Sequence, residues 1–327
     1  MNHDGSLDRA KDLIAVASDS GADAVKFQCF DPSTLLSNEA PLASYQERQA
    51  SDASSMLNEL RLTREDLQAV RNKADRVGLA FVVTPFSVAD VAVLGELGVD
   101  AVKIASPDAV NPWLLDAAAE LGRPLWVSTG TCDLNDLQPA AARLRTHGPG
   151  GALLHCVSAY PTPIAQAALG GIAALRDAFS LPTGYSDHTL GEHTGALAVS
   201  AGACLLEKHL THDRSSPGPD HAASLEPEEL ARYIAKAHEA AAALGPVAKR
   251  CTEAERDVRA VSRQSLVYTA DLPAGHVLTR NDLETRRPGT GIPAAAGPDW
   301  IGRRLNRPVT AGTLAQEQDA EAPDAAN

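Results

Sequence analysis

Several things are scarce in this sequence, and each absence narrows its function. Aromatic residues make up only 4% of the 327 positions, while the hydrophobic fraction is 44%. A sizeable core is therefore available, built mainly from Ala, Val and Leu. Basic residues are in deficit, with 29 Lys and Arg against 42 Asp and Glu and a net charge of −13. That balance argues against nucleic acid or an anionic membrane surface as a general partner. No apolar run reaches the length of a membrane span. The polar stretch from Asn2 to Ser6 lacks the charged and apolar regions of a signal peptide. The five cysteines (Cys29, Cys132, Cys156, Cys204, Cys251) include no CxxC pair. Their odd number and scattered spacing suggest a reducing cytoplasm. No GxxxxGK[ST] loop and no GxGxxG following a strand is present, so neither common nucleotide cradle is available. No Cys–His or Ser–His–Asp set stands out by spacing.

What is there is a regular alternation of strand and helix patterns as far as residue 244, which predicts parallel βα units. Strand patterns occupy 23–28, 79–85, 101–106, 124–129, 152–157, 183–188 and 204–210. Helix patterns fill the gaps, with Thr63-Arg64-Glu65-Asp66 as a capping box and Gly21 and Gly78 as helix stops. Residues 31–55 read as a long polar loop over the top of the sheet. Seven strands at this spacing suit a (β/α)8 barrel whose first strand is missing. The opening Asn2-His3-Asp4-Gly5 reads as the loop that follows such a strand. A prior of roughly 100–200 residues per domain allows one large and one small domain. The expected division is a barrel over 1–246, a linker over 247–262, a compact Gly- and Pro-rich β module over 263–316, and a disordered Ala/Asp/Glu/Pro tail over 317–327.

The stretch from Gly184 to Asp220 carries the chemistry. His188 and His209 end two successive strand patterns, and parallel strands open their C-terminal ends onto one face. The two imidazoles are therefore candidates to share a divalent metal, with Asp187 and Glu207 beside them as candidate orienters. Lys26, Lys103, Ser106, Ser128 and Ser186 also fall at strand C-terminal ends. Two ammonium groups and several hydroxyls on one barrel top suit a phosphorylated carboxylate. A metal with an anion site and no nucleotide loop points to lyase or condensation chemistry. In the small module, Arg286-Arg287-Pro288-Gly289-Thr290-Gly291 is a basic turn on an acidic chain.

Motifs spread over nearly the whole chain resemble the sialic acid synthase family. They are Val25-Lys26-Phe27-Gln28, Lys103-Ile104-Ala105-Ser106, Ser128-Thr129-Gly130, His155-Cys156 through Tyr160-Pro161, Ser186-Asp187-His188-Thr189, Glu207-Lys208-His209 and Pro217-Gly218-Pro219-Asp220. Arg287-Pro288-Gly289-Thr290-Gly291-Ile292 is similar to the signature of the family's antifreeze-like (SAF) domain. The resemblance implies a TIM barrel with a small C-terminal β-clip module. The implied activity condenses phosphoenolpyruvate with an N-acetylated hexose and releases phosphate. It further implies Mn2+ or Mg2+ on His188 and His209, polarising the open-chain aldehyde as a Lewis acid. Phosphoenolpyruvate would lie on Lys26, Lys103, Ser106, Ser128 and Ser186, and the sugar against Gln28, Tyr160 and Asp220. Arg287 would reach into the partner's barrel in a domain-swapped homodimer. The acceptor stays open between N-acetylmannosamine and a 2,4-diacetamido-hexose, because nothing in the motifs reads the substituents at C4 or C6. A barrel kept only for binding or assembly is the reading from a different class. One departure stands out: the strand that family members carry ahead of the Asn-His stretch, with its sugar-contacting Glu, is absent.

Overall fold

The computed structural model describes residues 1–36 and 53–321, and the side chains within them except Ala53. The chain divides into two compact units, Met1–Gly245 and Pro246–Asn327.

In the first unit, the elements run α1 (Leu7–Asp19), β1 (Ala24–Cys29), α2 (Pro32–Leu35), α3 (Ala53–Leu60), α4 (Arg64–Val77), β2 (Ala80–Pro85), α5 (Val88–Leu97), β3 (Ala101–Ile104), α6 (Pro112–Glu120), β4 (Leu125–Ser128), α7 (Gln138–Thr146), β5 (Gly151–Cys156), α8 (Gly170–Phe179), β6 (Thr183–Asp187), α9 (Thr194–Ser200), β7 (Leu206–Lys208) and α10 (Pro227–Leu244). The seven strands pair in chain order, β1 through β7, and every pairing is parallel. Each crossover is a helix, as parallel pairing requires. Phe27, Phe81, Val83, Val102, Val127 and Leu153 point outward and join Ile14, Val70 and Leu94 of the helices in one core. Because helices cover the outer face and the strands curl around their own inner face, residues of β2 are buried on both sides. This explains why the strands read as apolar runs rather than as half-polar alternation. The curl brings Lys26 of β1 onto Glu207 of β7, an ion pair between the first and last strands. The architecture is thus an α/β, TIM-barrel-like sheet of seven strands.

Local signals place the helices. Thr63 and Asp66 form the capping box on α4, and Gly78 closes the helix at φ +76 in the left-handed region that favours glycine. Two details differ from the sequence reading. The segment read as one loop over 31–55 contains α2, capped by Asp31, and the start of α3, and its residues 37–52 lie outside the described residues. The helix after β4 starts at Gln138 rather than near Leu134.

In the second unit, the stretch expected to be a plain linker holds α11 (Arg256–Ser262). It is followed by β8 (Ser265–Tyr268), β9 (Leu283–Arg286), α12 (Gly297–Trp300), β10 (Arg304–Leu305) and β11 (Ala320–Glu321). β8 pairs antiparallel with β9, and β10 with β11, around Leu266, Tyr268, Leu283, Trp300 and Leu305. The expectation of a disordered tail from 317 fails for 317–321. Asp319 is 1% exposed. It accepts hydrogen bonds from the Tyr268 hydroxyl at 3.1 Å, Arg307 Nε at 2.8 Å and the Gln316 backbone N–H at 2.8 Å. Composition alone reads this segment as solvated; one buried carboxylate and a strand pairing draw it into the module.

Candidate active site

Strand alternation builds the site. With Phe27, Phe81, Val102 and Val127 facing the helices, the neighbouring Lys26, Thr84, Lys103 and Ser128 face inward. So do Cys156, Ser186 and Glu207, and together these side chains line a cavity of about 340 Å3 at the C-terminal ends of the strands. Gln28, Ser106, Tyr160, His188, His209 and Asp220 complete it. Ten of the eleven residues expected to bind substrate or metal therefore share one pocket; Arg287 is exposed and belongs to the second unit.

The anionic half is built on Lys103, which is 2% exposed. Its Nζ donates to Ser128 Oγ at 2.6 Å and to the Ile104 carbonyl at 2.7 Å, and lies 3.5 Å from Glu207 Oε2. Burial lowers its pKa, and Glu207 works against that shift. Burial pushes the Glu207 carboxyl up, but Lys103 and Lys26 outweigh it and hold the group well below the usual carboxylate range. Glu207 Oε2 and Thr84 Oγ1 are nevertheless buried with no hydrogen-bond partner. Buried polar atoms without partners inside a pocket lined by cations are what a polar ligand would satisfy. Ser106 Oγ accepts the Gly130 backbone N–H at 3.0 Å. Gly130 has no room for a side chain: a Cβ would lie 2.2 Å from Ser158 Oγ and 2.9 Å from Ser106 Oγ. The close approach keeps the serines at the pocket wall.

The two histidine rings lie 5.2 Å apart, centroid to centroid. His188 Nδ1 donates to the Val157 carbonyl at 2.9 Å, a tautomer assigned from that partner, with Cys156 Sγ at 3.8 Å from the same nitrogen. Nε2 is then left with a lone pair. Burial works to lower the His188 pKa, but Cys156, the Val157 carbonyl and Glu207 together raise it, making the ring more basic. Burial pushes His209 down to about 3, against the opposing pull of Asp220, whose Oδ2 lies 3.6 Å from Nδ1. The Tyr160 ring stands 4.1 Å from that of His188 and edge-on to His209 at 6.0 Å.

The expected orienters are corrected here. Asp187 is fully buried but faces away from the pocket. It pairs with Lys208 at 3.1 Å and accepts the Thr189 N–H at 2.8 Å. Glu207 bonds to the lysines rather than to either imidazole. The groups that set the rings are the Val157 carbonyl and Asp220. Residues given no role from the sequence include Thr84, Cys156 and Met1, all on the pocket wall. Strand parity points to Thr84 and Cys156, since each stands an even number of residues from an inward neighbour. Further back, Asn2 Nδ2 donates to the Leu210 carbonyl at 2.8 Å and to Ser224 Oγ at 2.7 Å. His221 bridges Asp4 at 2.9 Å and Thr211 at 2.7 Å. These contacts tie the chain's first turn to the loop that carries Asp220.

A curled parallel sheet with lysines, hydroxyls and two neighbouring imidazoles at the C-terminal ends of its strands has its polar groups where barrel enzymes keep their active sites. Comparison with known proteins gives the family: residues 13–249 match the NeuB family and residues 263–321 the SAF domain, and the chain belongs to the NeuB family. It is 38% identical over 330 residues to the N,N'-diacetyllegionaminic acid synthase of Legionella pneumophila, covering 98% of this chain and 93% of that one. It is 37% identical to the protein of the same name from Campylobacter jejuni, over 93% of this chain and 92% of that one. Among solved structures, the N-acetylneuraminic acid (sialic acid) synthetase of Leptospira borgpetersenii aligns with a TM-score of 0.72 at 32% identity, over 79% of this chain and 86% of that one.

Proposed function

We propose that the protein is a nonulosonic acid synthase: it joins phosphoenolpyruvate to the open-chain aldehyde of an N-acetylated hexose and releases phosphate. The observation that carries this reading is the single pocket in which Lys26, Lys103 and three serines stand beside two imidazoles. Lys26 and Lys103 neutralise the phosphate and carboxylate, and Ser106, Ser128 and Ser186 donate to their oxygens. Gln28, Tyr160 and Asp220 hold the acceptor sugar. Glu207 stays ionised between the two lysines and holds them in place for the incoming anion. His188 and His209 present nitrogen lone pairs from adjacent strand ends and fit a divalent ion, Mn2+ or Mg2+. Such an ion, when bound, supplies Lewis-acid polarisation of the aldehyde oxygen. The new bond forms between the enol carbon and the aldehyde carbon. Water then adds at the oxocarbenium-like centre, and phosphate leaves with cleavage of its C–O bond.

The two legionaminic acid synthases favour a 2,4-diacetamido-hexose as acceptor. N-Acetylmannosamine is the second reading, favoured by the likeness to the sialic acid synthetase. Arg287 acts from the second unit of a partner chain in a swapped homodimer. Phosphate release from phosphoenolpyruvate, assayed with Mn2+ and each acceptor in turn, tests the reading. Turnover is expected with the diacetamido sugar and none after EDTA. Release with neither sugar overturns it.

A further inference from the structure

Beyond Gln28 and Thr84, the β1–β2 side of the active-site pocket turns apolar. Lys26, Gln28 and Phe30 line the cavity from β1 and its end, and Thr84 and Phe86 from β2 and its end. Alternation along each strand keeps these side chains on one face. The two phenylalanines stand two residues past Gln28 and Thr84, a layer nearer the mouth. Their rings meet edge to face with 6.0 Å between centroids. Phe30 is buried and Phe86 half-buried.

Two short helices bring aliphatic side chains to the same cavity: Leu35 of α2, and Met56 and Leu57 of α3. Asp31 ties these helices together. Its carboxylate accepts the Ser33 N–H at 2.9 Å, capping α2, and pairs at 3.1 Å with Arg61, the residue after α3. Met56 and Leu60, one turn apart on α3, are both buried and anchor it. Leu35 and Leu57 stay half-buried beside the cavity they line. Among the described residues of this side past Gln28 and Thr84, every lining side chain is apolar.

That composition restricts what can lie there. A sugar hydroxyl pressed on this wall gives up water and gains no side-chain partner. An acetamido group ends in a methyl, whose burial is favourable. Five apolar side chains from four segments offer more surface than one methyl covers. The acceptor's aldehyde belongs at the imidazoles, at the ends of β6 and β7. An acetamido group on the adjoining carbon, C2, stays beside them. A substituent two carbons further along, at C4, reaches towards β1 and β2.

We propose, resting on the synthase activity argued above, that Leu35, Met56 and Leu57, together with Phe30 and Phe86, receive the methyl of a second acetamido group on the acceptor and so select a diacetamido over a monoacetamido hexose.

Saturation-transfer NMR on the full chain with the 2,4-diacetamido-hexose tests this without turnover. In the wild type, both acetyl methyls should take up saturation. Leu57→Asn places an amide in the wall, and saturation of the C4 methyl should fall relative to that of the C2 methyl. Leu57→Met, similar in volume and apolar, should restore it. Leu35→Asn probes the same wall from the other helix, so the test survives if one variant fails to fold. In steady-state kinetics, the ratio of kcat/KM for the diacetamido sugar to that for N-acetylmannosamine should drop roughly 10- to 100-fold in the asparagine variants. A C4 methyl that stays unsaturated in the wild type overturns the proposal. So does a loss shared equally by the two methyls, or by the two acceptors. If the wild type releases phosphate with neither sugar while the C4 methyl still loses saturation in the variants, the synthase reading fails and the acetamido wall stands.

Discussion

Lys103 donates to Ser128 and the Ile104 carbonyl and stands 3.5 Å from Glu207, so an arriving phosphate must compete with partners already in place. Replacing Lys103 with Met removes a charge-assisted contact worth about 3 kcal/mol. Steady-state kinetics should show the KM for phosphoenolpyruvate rising on the order of 10²-fold, with the melting curve near wild type because Lys26 still pairs with Glu207. His209→Gln should weaken Mn2+ binding at least ~100-fold by calorimetry, whereas Asp187→Asn, behind the pocket wall, should leave it within a few-fold. The same pair shows what the sequence displays and what it hides. Asp187 and Glu207 look alike as acids flanking the histidines. Asp187 stands one residue from His188 and so faces the opposite side of the strand; Glu207 stands two from His209 and shares its side. Parity is readable in advance, but which parity is inward depends on where the helices pack.

At the scale of elements, contacts distant in sequence carry what local patterns cannot. Arg232 and Lys236 of α10 grip Glu192, at 2.8 Å and 2.9 Å, just before α9. The hydrogen bonds from Arg232 and then Lys236 hold the Glu192 pKa at about 2, below the ~4.3 of an unfolded chain. Ionised Glu192 therefore favours the folded state above that value, and the contribution fades as pH falls towards 2. Urea midpoints of Glu192→Gln should lie below wild type at pH 7 and converge with it near pH 2. In the second unit, Asp319→Ala strips acceptors from Tyr268, Arg307 and Gln316. Denaturant unfolding should register a loss of about 2–3 kcal/mol. All seven strands and most helix ends were legible, because apolar runs, capping residues and glycine stops are local signals. The 31–55 stretch and residues 317–321 were not. Asp319 is polar in composition and becomes structural only through partners as far away as Tyr268.

For the whole molecule, the proposed swapped dimer has a direct signature. If Arg287 completes the partner's site, mixing inactive Arg287→Ala with inactive His209→Gln chains under exchange should restore roughly a quarter of wild-type turnover; strictly additive silence would mean each chain works alone. The ten pocket residues were legible because most of their motifs fall at or just after strand ends; Arg287, in the second unit, was given a role through the resemblance alone.

The two pocket lysines, Lys103 buried and Lys26 half-buried, lie inside a chain of net charge −13. At a distance, an anionic substrate meets the outer charge before it meets the lysines, so its approach is uphill. Most enzymes of anions slow down as salt screens their attraction. Here added salt shortens the reach of a repulsion, and capture of phosphoenolpyruvate should quicken between low and physiological ionic strength, a kinetic salt effect of inverted sign.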